Sequence, residues 1–141
     1  MFRHMMAIIL ALFLVMPAHA AELSANDKTN VQNVITGQLD AFKAGDGPKA
    51  YSYAAPLVTS VFPTAEIFMG MVKRGYEPIF RNTKKVFGTI AADSLGRPAQ
   101  HVTITAADGK RYEAVYIMEL QKDGSWKIAG VQMVEIPGLD A

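Results

Sequence analysis

The sequence predicts an α+β domain, with N-terminal helices packed on an antiparallel sheet of about four strands. Three observations carry that reading. Apolar residues recur at helical spacing between residues 27 and 75, and from Val86 onward the period changes to two. Two Asp-Gly pairs, Asp108-Gly109 and Asp123-Gly124, punctuate the last three of these alternating runs. Helices followed by a meander of strands place the helices on one face of the sheet.

The chain opens with a segment that does not belong to the fold. Arg3 and His4 form a short basic head, an apolar run extends from Met5 to Met16, and Pro17 precedes Ala18-His19-Ala20. Small residues at both positions that a signal peptidase reads predict cleavage between Ala20 and Ala21. A run of 12 apolar residues is too short for a hydrocarbon core that takes about 20 helical residues. The expected domain is therefore residues 21–141, exported and periplasmic or secreted.

Removing residues 1–20 from the 141 leaves 121, enough for one small domain with its own core. There is no cysteine, which excludes disulfides and lipid attachment through an N-terminal cysteine. Arg3 is the one charged residue in the leader, so Lys+Arg falls from 14 to 13 against 13 Asp+Glu. A neutral domain points away from nucleic acid or an anionic membrane as its main partner.

Residues 27–44 form the first expected helix, with Asp27 as cap and Val31, Val34, Ile35, Leu39 and Phe42 on one face; Ala44-Gly45 closes it. Gly47-Pro48 starts a short second helix carrying Ala50, Tyr51 and Ala54, which Pro56 stops. A third runs from a Thr64 cap, with Glu66 in its first turn and Ile67, Phe68, Met71 and Val72 as its stripe. Lys73 and Arg74 occupy its last turn before Gly75. Residues 76–85 read as a connector whose Tyr76, Ile79 and Phe80 tuck under the core. Four strands follow, at Val86–Ala92, Gln100–Ala106, Arg111–Leu120 and Trp126–Glu135.

This order of elements resembles the nuclear-transport-factor-two-like superfamily, also called SnoaL-like. Closer likeness to an uncharacterised family of small exported bacterial proteins within it lies in Gln38-Leu39-Asp40-Ala41-Phe42, Asp46, Ala50-Tyr51, Ala54-Ala55-Pro56, Phe62-Pro63 and Tyr76-Glu77-Pro78. The stretch from Asp123 to Val131 belongs to the same likeness. The resemblance covers about residues 30–137 and implies a curved sheet wrapped around helices as a cone. It is nearly silent on activity, because that fold hosts isomerases, dehydratases, carriers and dimerisation modules. The ketosteroid isomerases of the superfamily pair a carboxylate base with a tyrosine or acid. Asp93, Asp108, Glu113, Glu119, Asp123 and Glu135 do not match that pattern residue by residue.

Gln38 lies near the centre of the first helix's apolar stripe. Its ordinary reading is an amide satisfied by a tyrosine or a backbone carbonyl; its functional reading is a polar anchor in an apolar pocket. His101 is the only histidine after the leader. A two-residue Asp108-Gly109 turn pairs 105 with 112, 103 with 114 and 101 with 116, so that His101 faces Tyr116 beside Thr103, Thr105, Tyr112 and Met118. One histidine and no cysteine make no metal-ligand cluster, and no phosphate loop or nucleophile elbow is present. No cofactor is expected. Lys73, Arg74, Arg81, Lys84 and Lys85, interrupted by Glu77, read ordinarily as a solvated edge, and functionally as a seat for an acidic group.

The third and fourth strands carry apolar residues on both parities. Val115 and Ile117 oppose Tyr116 and Met118, while Trp126 and Ile128 oppose Val131 and Met133. Such strands want cover on both faces, which predicts a homodimer through the outer sheet face. The functional expectation is a non-catalytic module binding a small apolar ligand or a protein partner. Gln38, Tyr51, Phe68, Met71, His101, Tyr116 and Met118 are its expected lining. The alternatives are a cofactor-free isomerase or lyase using His101 and Tyr116, and a structural homodimer with a filled cone.

Overall fold

The computed structural model describes residues 23–138; the expected leader and its cleavage point lie outside them. Five helices precede four strands: α1 (Ala25–Ala44), α2 (Gly47–Ser52), α3 (Pro56–Val61), α4 (Ala65–Gly75), α5 (Glu77–Phe80), β1 (Asn82–Ala92), β2 (Pro98–Ala106), β3 (Arg111–Leu120) and β4 (Trp126–Glu135). The strands form one antiparallel sheet in the order β1-β2-β3-β4, giving the expected α+β class. Val31, Ile35, Leu39 and Phe42 of α1 are buried against Val102 and Ile104 of β2 and Ala114, Tyr116 and Met118 of β3.

The helix boundaries correct three expectations. Ser24, not Asp27, caps α1: the Asp27 backbone N–H donates to Ser24 Oγ at 3.0 Å, and Asp27 sits in the first turn where its charge favours the helix dipole. Pro56 does not merely stop α2. That helix ends at Ser52, and Pro56 opens α3, because a proline lacks the N–H that the first turn leaves unused. The connector holds a helical turn of its own, α5, and β1 begins at Asn82, four residues before Val86.

Asn82 shows why the strand starts there. It is buried and its Nδ2 donates to the Ile79 carbonyl at 2.7 Å and the Leu39 carbonyl at 3.2 Å, tying β1 to α5 and to the last turns of α1. Thr83 is an extra residue against β2, and a second insertion falls between Phe87 and Ile90, where Gly88 and Thr89 oppose His101 alone. Gln100 fills that second bulge. Fully buried, it donates from Nε2 to the carbonyls of His101 at 2.8 Å, Gly88 at 3.1 Å and Thr89 at 3.3 Å. Gln32 of α1 donates to its Oε1 at 3.3 Å.

All three hairpins use one device. Asp93 pairs with Arg97, Ala106 with Lys110 and Gln121 with Ser125, each across a three-residue loop that ends in a glycine with φ of +77° (Gly96), +85° (Gly109) or +86° (Gly124). These positive values suit glycine, which has no Cβ to clash. Asp123 accepts from the Ser125 hydroxyl and backbone N–H, and these bonds hold its carboxyl below the usual carboxylate range. Burial pushes the Asp93 carboxyl upward, but donors from Arg97 and Leu95 outweigh it and hold it low.

The third loop residue shifts the β2–β3 register by one from the expected pairing. Thr105 pairs with Arg111, Thr103 with Glu113, His101 with Val115 and Gln100 with Tyr116. Because neighbouring side chains point to opposite faces, that single residue moves His101 away from Tyr116. A bulge does the same to β4. Ile117 pairs with Gly130 and Met118 with Ile128, leaving Ala129 unmatched. The insertion puts Trp126, Ile128, Val131 and Met133 together against the core, correcting the expectation that they fall on opposite faces. The opposed apolar pairs expected on β4 are therefore absent from its outer face.

Gln100→Leu keeps the volume of the side chain and removes its donor, leaving the bulge carbonyls unpaired. Urea unfolding is expected to show a loss of about 1–3 kcal/mol, with the slope against denaturant unchanged.

Candidate functional site

An apolar groove of about 320 Å³ lies between α3, α4 and the middle of β4. Its floor is Gln38 and Phe42 of α1 with Ile128 and Ala129 of β4; α3 supplies Leu57, Val58 and Val61. Phe68, Met71 and Val72 of α4 form the opposite wall, continued by Tyr76 and Ile79. Among the described residues, no Asp, Glu, Lys, Arg or His side chain lines it.

The groove exists because α3 is held at its ends and not along its face. The chain before α3 is stitched to β4: the Ile128 N–H donates to the Tyr53 carbonyl and the Ala55 N–H to the Ile128 carbonyl, both at 2.8 Å. This adds a short parallel bridge to an otherwise open sheet edge. Gly37 of α1 makes room for the ring of Tyr53, against which any Cβ would collide. Beyond α3, the Tyr51 hydroxyl donates to the Phe62 carbonyl at 2.6 Å. Between those ties α3 has no buried residue, and Leu57 and Val61 are 59% and 63% exposed at the mouth.

Three of the seven expected lining residues meet here: Gln38, Phe68 and Met71. Gln38 is 4% exposed, and its Nε2 donates to the Ala50 carbonyl at 3.2 Å, as its ordinary reading anticipates. Tyr51 stands behind the wall, its ring 5.5 Å from that of Phe68. Met118 is fully buried in the core and does not line the groove.

His101 and Tyr116 are not brought together. Tyr116 is buried on the core face, while His101 lies on the outer face, its side chain 36% exposed. The constellation that an isomerase using both residues requires is therefore not formed. The one-residue shift gives His101 a different partner: its Nδ1 lies 2.6 Å from Oε1 of Glu113, which is 51% exposed. The Tyr116 hydroxyl has no hydrogen-bond partner among the described residues, and burial pushes its phenol well above the ordinary range. No group of three or more His, Asp or Glu positioned to hold a metal occurs among the described residues.

Sequence reasoning missed Leu57, Val58 and Val61, the wall on α3. Their one signal is Leu57, Val58 and Val61 at helical spacing just after Pro56, a proline that reads equally as a helix stop or a helix start. It also missed Gln100, which looked like any polar residue beginning a strand.

Compared with known families, residues 24–141 match the model described as "Domain of unknown function (DUF4864)". No curated protein and no solved structure matches the chain.

The Tyr116 hydroxyl separates a structural role from a chemical one. Tyr116→Phe removes a buried hydroxyl that bonds to nothing described, so stability is expected to hold or to rise by up to about 1 kcal/mol in thermal and urea unfolding. A loss of 2 kcal/mol or more, on the order of a broken buried hydrogen bond, would show that the hydroxyl has a partner.

Proposed function

This chain belongs to the DUF4864 family, and we propose that it is a non-catalytic module that takes a small apolar ligand into the groove between α3, α4 and β4. The observation that carries this reading is the groove's lining. It is apolar throughout except for the Gln38 amide and the Tyr76 hydroxyl, and both are engaged: Gln38 with Ala50, Tyr76 with the Val131 carbonyl at 3.2 Å. A concave apolar site of this size with few polar groups is the usual form of a small-molecule pocket. The absence of acid, base or nucleophile from the lining favours binding over catalysis.

Two further parts of the reading rest on sequence. The apolar run Met5–Met16 followed by Ala18-His19-Ala20 supports export with cleavage after Ala20, which would place the module outside the cytoplasm. Helices on one face of a four-stranded antiparallel meander support placing the family within the SnoaL-like superfamily. A homodimer is a second reading, favoured by one row across the outer sheet face. There Val86, Thr103, Glu113 and Val134 lie side by side, with both valines exposed.

Titration of residues 21–141 with N-phenyl-1-naphthylamine, a neutral dye that brightens in apolar surroundings, is expected to give saturable one-site binding. Val61→Asp, at an exposed position on the mouth, and Met71→Trp, which narrows it, should each weaken the dye at least fivefold without altering the fold by circular dichroism. Unsaturable binding, or binding indifferent to both changes, defeats the groove as the site. For the dimer, sedimentation at about 10 µM is expected to give twice the monomer mass, reduced to monomer by Val86→Lys with Val134→Lys; a monomeric parent chain sinks it.

A further inference from the structure

We propose that the groove's ligand carries one hydroxyl on an otherwise apolar body, and that Gln38 Oε1 accepts the hydrogen bond from that hydroxyl. This rests on the groove being a binding site and adds the chemical class of what it binds.

The Gln38 amide is half used. Its Nε2 donates to the Ala50 carbonyl at 3.2 Å, while its Oε1 receives no hydrogen bond among the described residues. Among those residues the Tyr116 hydroxyl is the one fully enclosed side-chain polar atom without a partner. Gln38 Oε1, equally without one, therefore keeps a surface that a small molecule can reach. Gln38 is buried as a whole and forms part of the groove floor, so that surface opens into the groove.

The fold itself does not call for an amide at this position. The Ala50 carbonyl already accepts from the Tyr53 backbone N–H at 3.3 Å, so an apolar residue at 38 would not leave it unmet. Ile35 and Phe42, the neighbours of Gln38 three and four positions away on α1, are both buried and apolar. A polar side chain on such a stripe is costly to bury, and its unpaired oxygen is the part that the protein leaves uncompensated. A donor brought by the ligand compensates it.

The rest of the lining narrows the donor to a hydroxyl. The other polar group there, the Tyr76 hydroxyl, spends its hydrogen on the Val131 carbonyl. An ether, ketone or ester would leave Gln38 Oε1 without a donor and set a second acceptor against it. A carboxylate or an ammonium ion would carry a charge among residues that offer no counter-charge. An amide supplies an N–H but brings a carbonyl that needs a donor of its own. A hydroxyl supplies the donor with the least added polar surface. Position sets the direction of entry: Gln38 is on the floor, whereas Leu57 and Val61 stand exposed at the mouth. The hydroxyl goes in first and the hydrocarbon fills the space out to α3. At about 320 Å³ the groove is near the lower end of small-molecule sites, which suits one or two rings or a chain of medium length.

Competition against N-phenyl-1-naphthylamine with nonanol and methyl octyl ether tests this, since the two are isomers and only the alcohol can donate. On residues 21–141 nonanol is expected to displace the dye at about three- to tenfold lower concentration than the ether, the range of one net hydrogen bond. Sites built around a buried polar group disfavour the analogue that leaves it unpaired. Gln38→Met, unbranched and without the acceptor, should abolish the preference, and Gln38→Leu should do the same, with displacement corrected for each variant's dye affinity. Gln100→Leu removes a buried amide that does not line the groove and should keep the preference. In the parent chain, the Gln38 side-chain amide signals in nuclear magnetic resonance should move further with nonanol than with the ether. An ether that competes as well as the alcohol overturns the proposal and leaves the groove reading standing. So does equal movement of those signals, or a preference that survives both Gln38 changes or is lost equally in Gln100→Leu. Failure of the dye to bind at all defeats both.

Discussion

A β-strand turns successive side chains to opposite faces, so each inserted residue exchanges core for solvent from that point on. Most of what distinguishes this domain follows from where its sheet takes such insertions. Ala107 joins Asp108 and Gly109 in a three-residue β2–β3 loop and puts Gln100, Val102 and Ile104 on the same side as Ala114, Tyr116 and Met118. Ala129 is unmatched in β4 and brings Trp126 and Ile128 to the face that Val131 and Met133 already occupy. Gly88 and Thr89 together oppose His101, and the carbonyls they displace are gathered by the Gln100 amide. The core, the groove floor and the outer face are all set by these positions.

Insertions free backbone groups, and a buried carbonyl without a donor is costly. Two buried amides answer that demand. Gln100 closes the β1 bulge and receives a bond from Gln32, which also ties the sheet to α1. Asn82 does the equivalent service where α1, α5 and β1 converge. Gln38 is the third buried amide, and it holds α2 to α1 through the Ala50 carbonyl. The cost of burying these polar groups is offset by the bonds they donate to backbone carbonyls.

The groove is open for a related reason. Its outer wall, α3, is a six-residue helix opened by a proline, too short to bury a stripe of its own, and held by backbone bonds at Ala55 and by the Tyr51 hydroxyl at Phe62. Those ties fix the helix against β4 while leaving Leu57 and Val61 in solvent. The groove's facing wall is better anchored, since Phe68 of α4 packs against both Phe42 and Tyr51.

Local order was legible in the residues themselves. Helical spacing in α1, the Thr64 cap and basic last turn of α4, and the places though not the lengths of the Asp108-Gly109 and Asp123-Gly124 turns are stated within a few positions of sequence, because capping, dipole and left-handed geometry are short-range effects. Burial of Val31, Ile35, Leu39 and Phe42 was readable for the same reason. What tertiary structure alone decided was which residues meet. His101 finds Glu113 and not Tyr116, Trp126 shares a face with Val131, and the stretch after Pro56, to which the sequence assigns no element, becomes a groove wall. Each outcome turns on one added residue or one proline read in the other direction. Such choices are settled by the packing of distant segments, which decides whether an extra residue is absorbed as a bulge or shifts a strand by one.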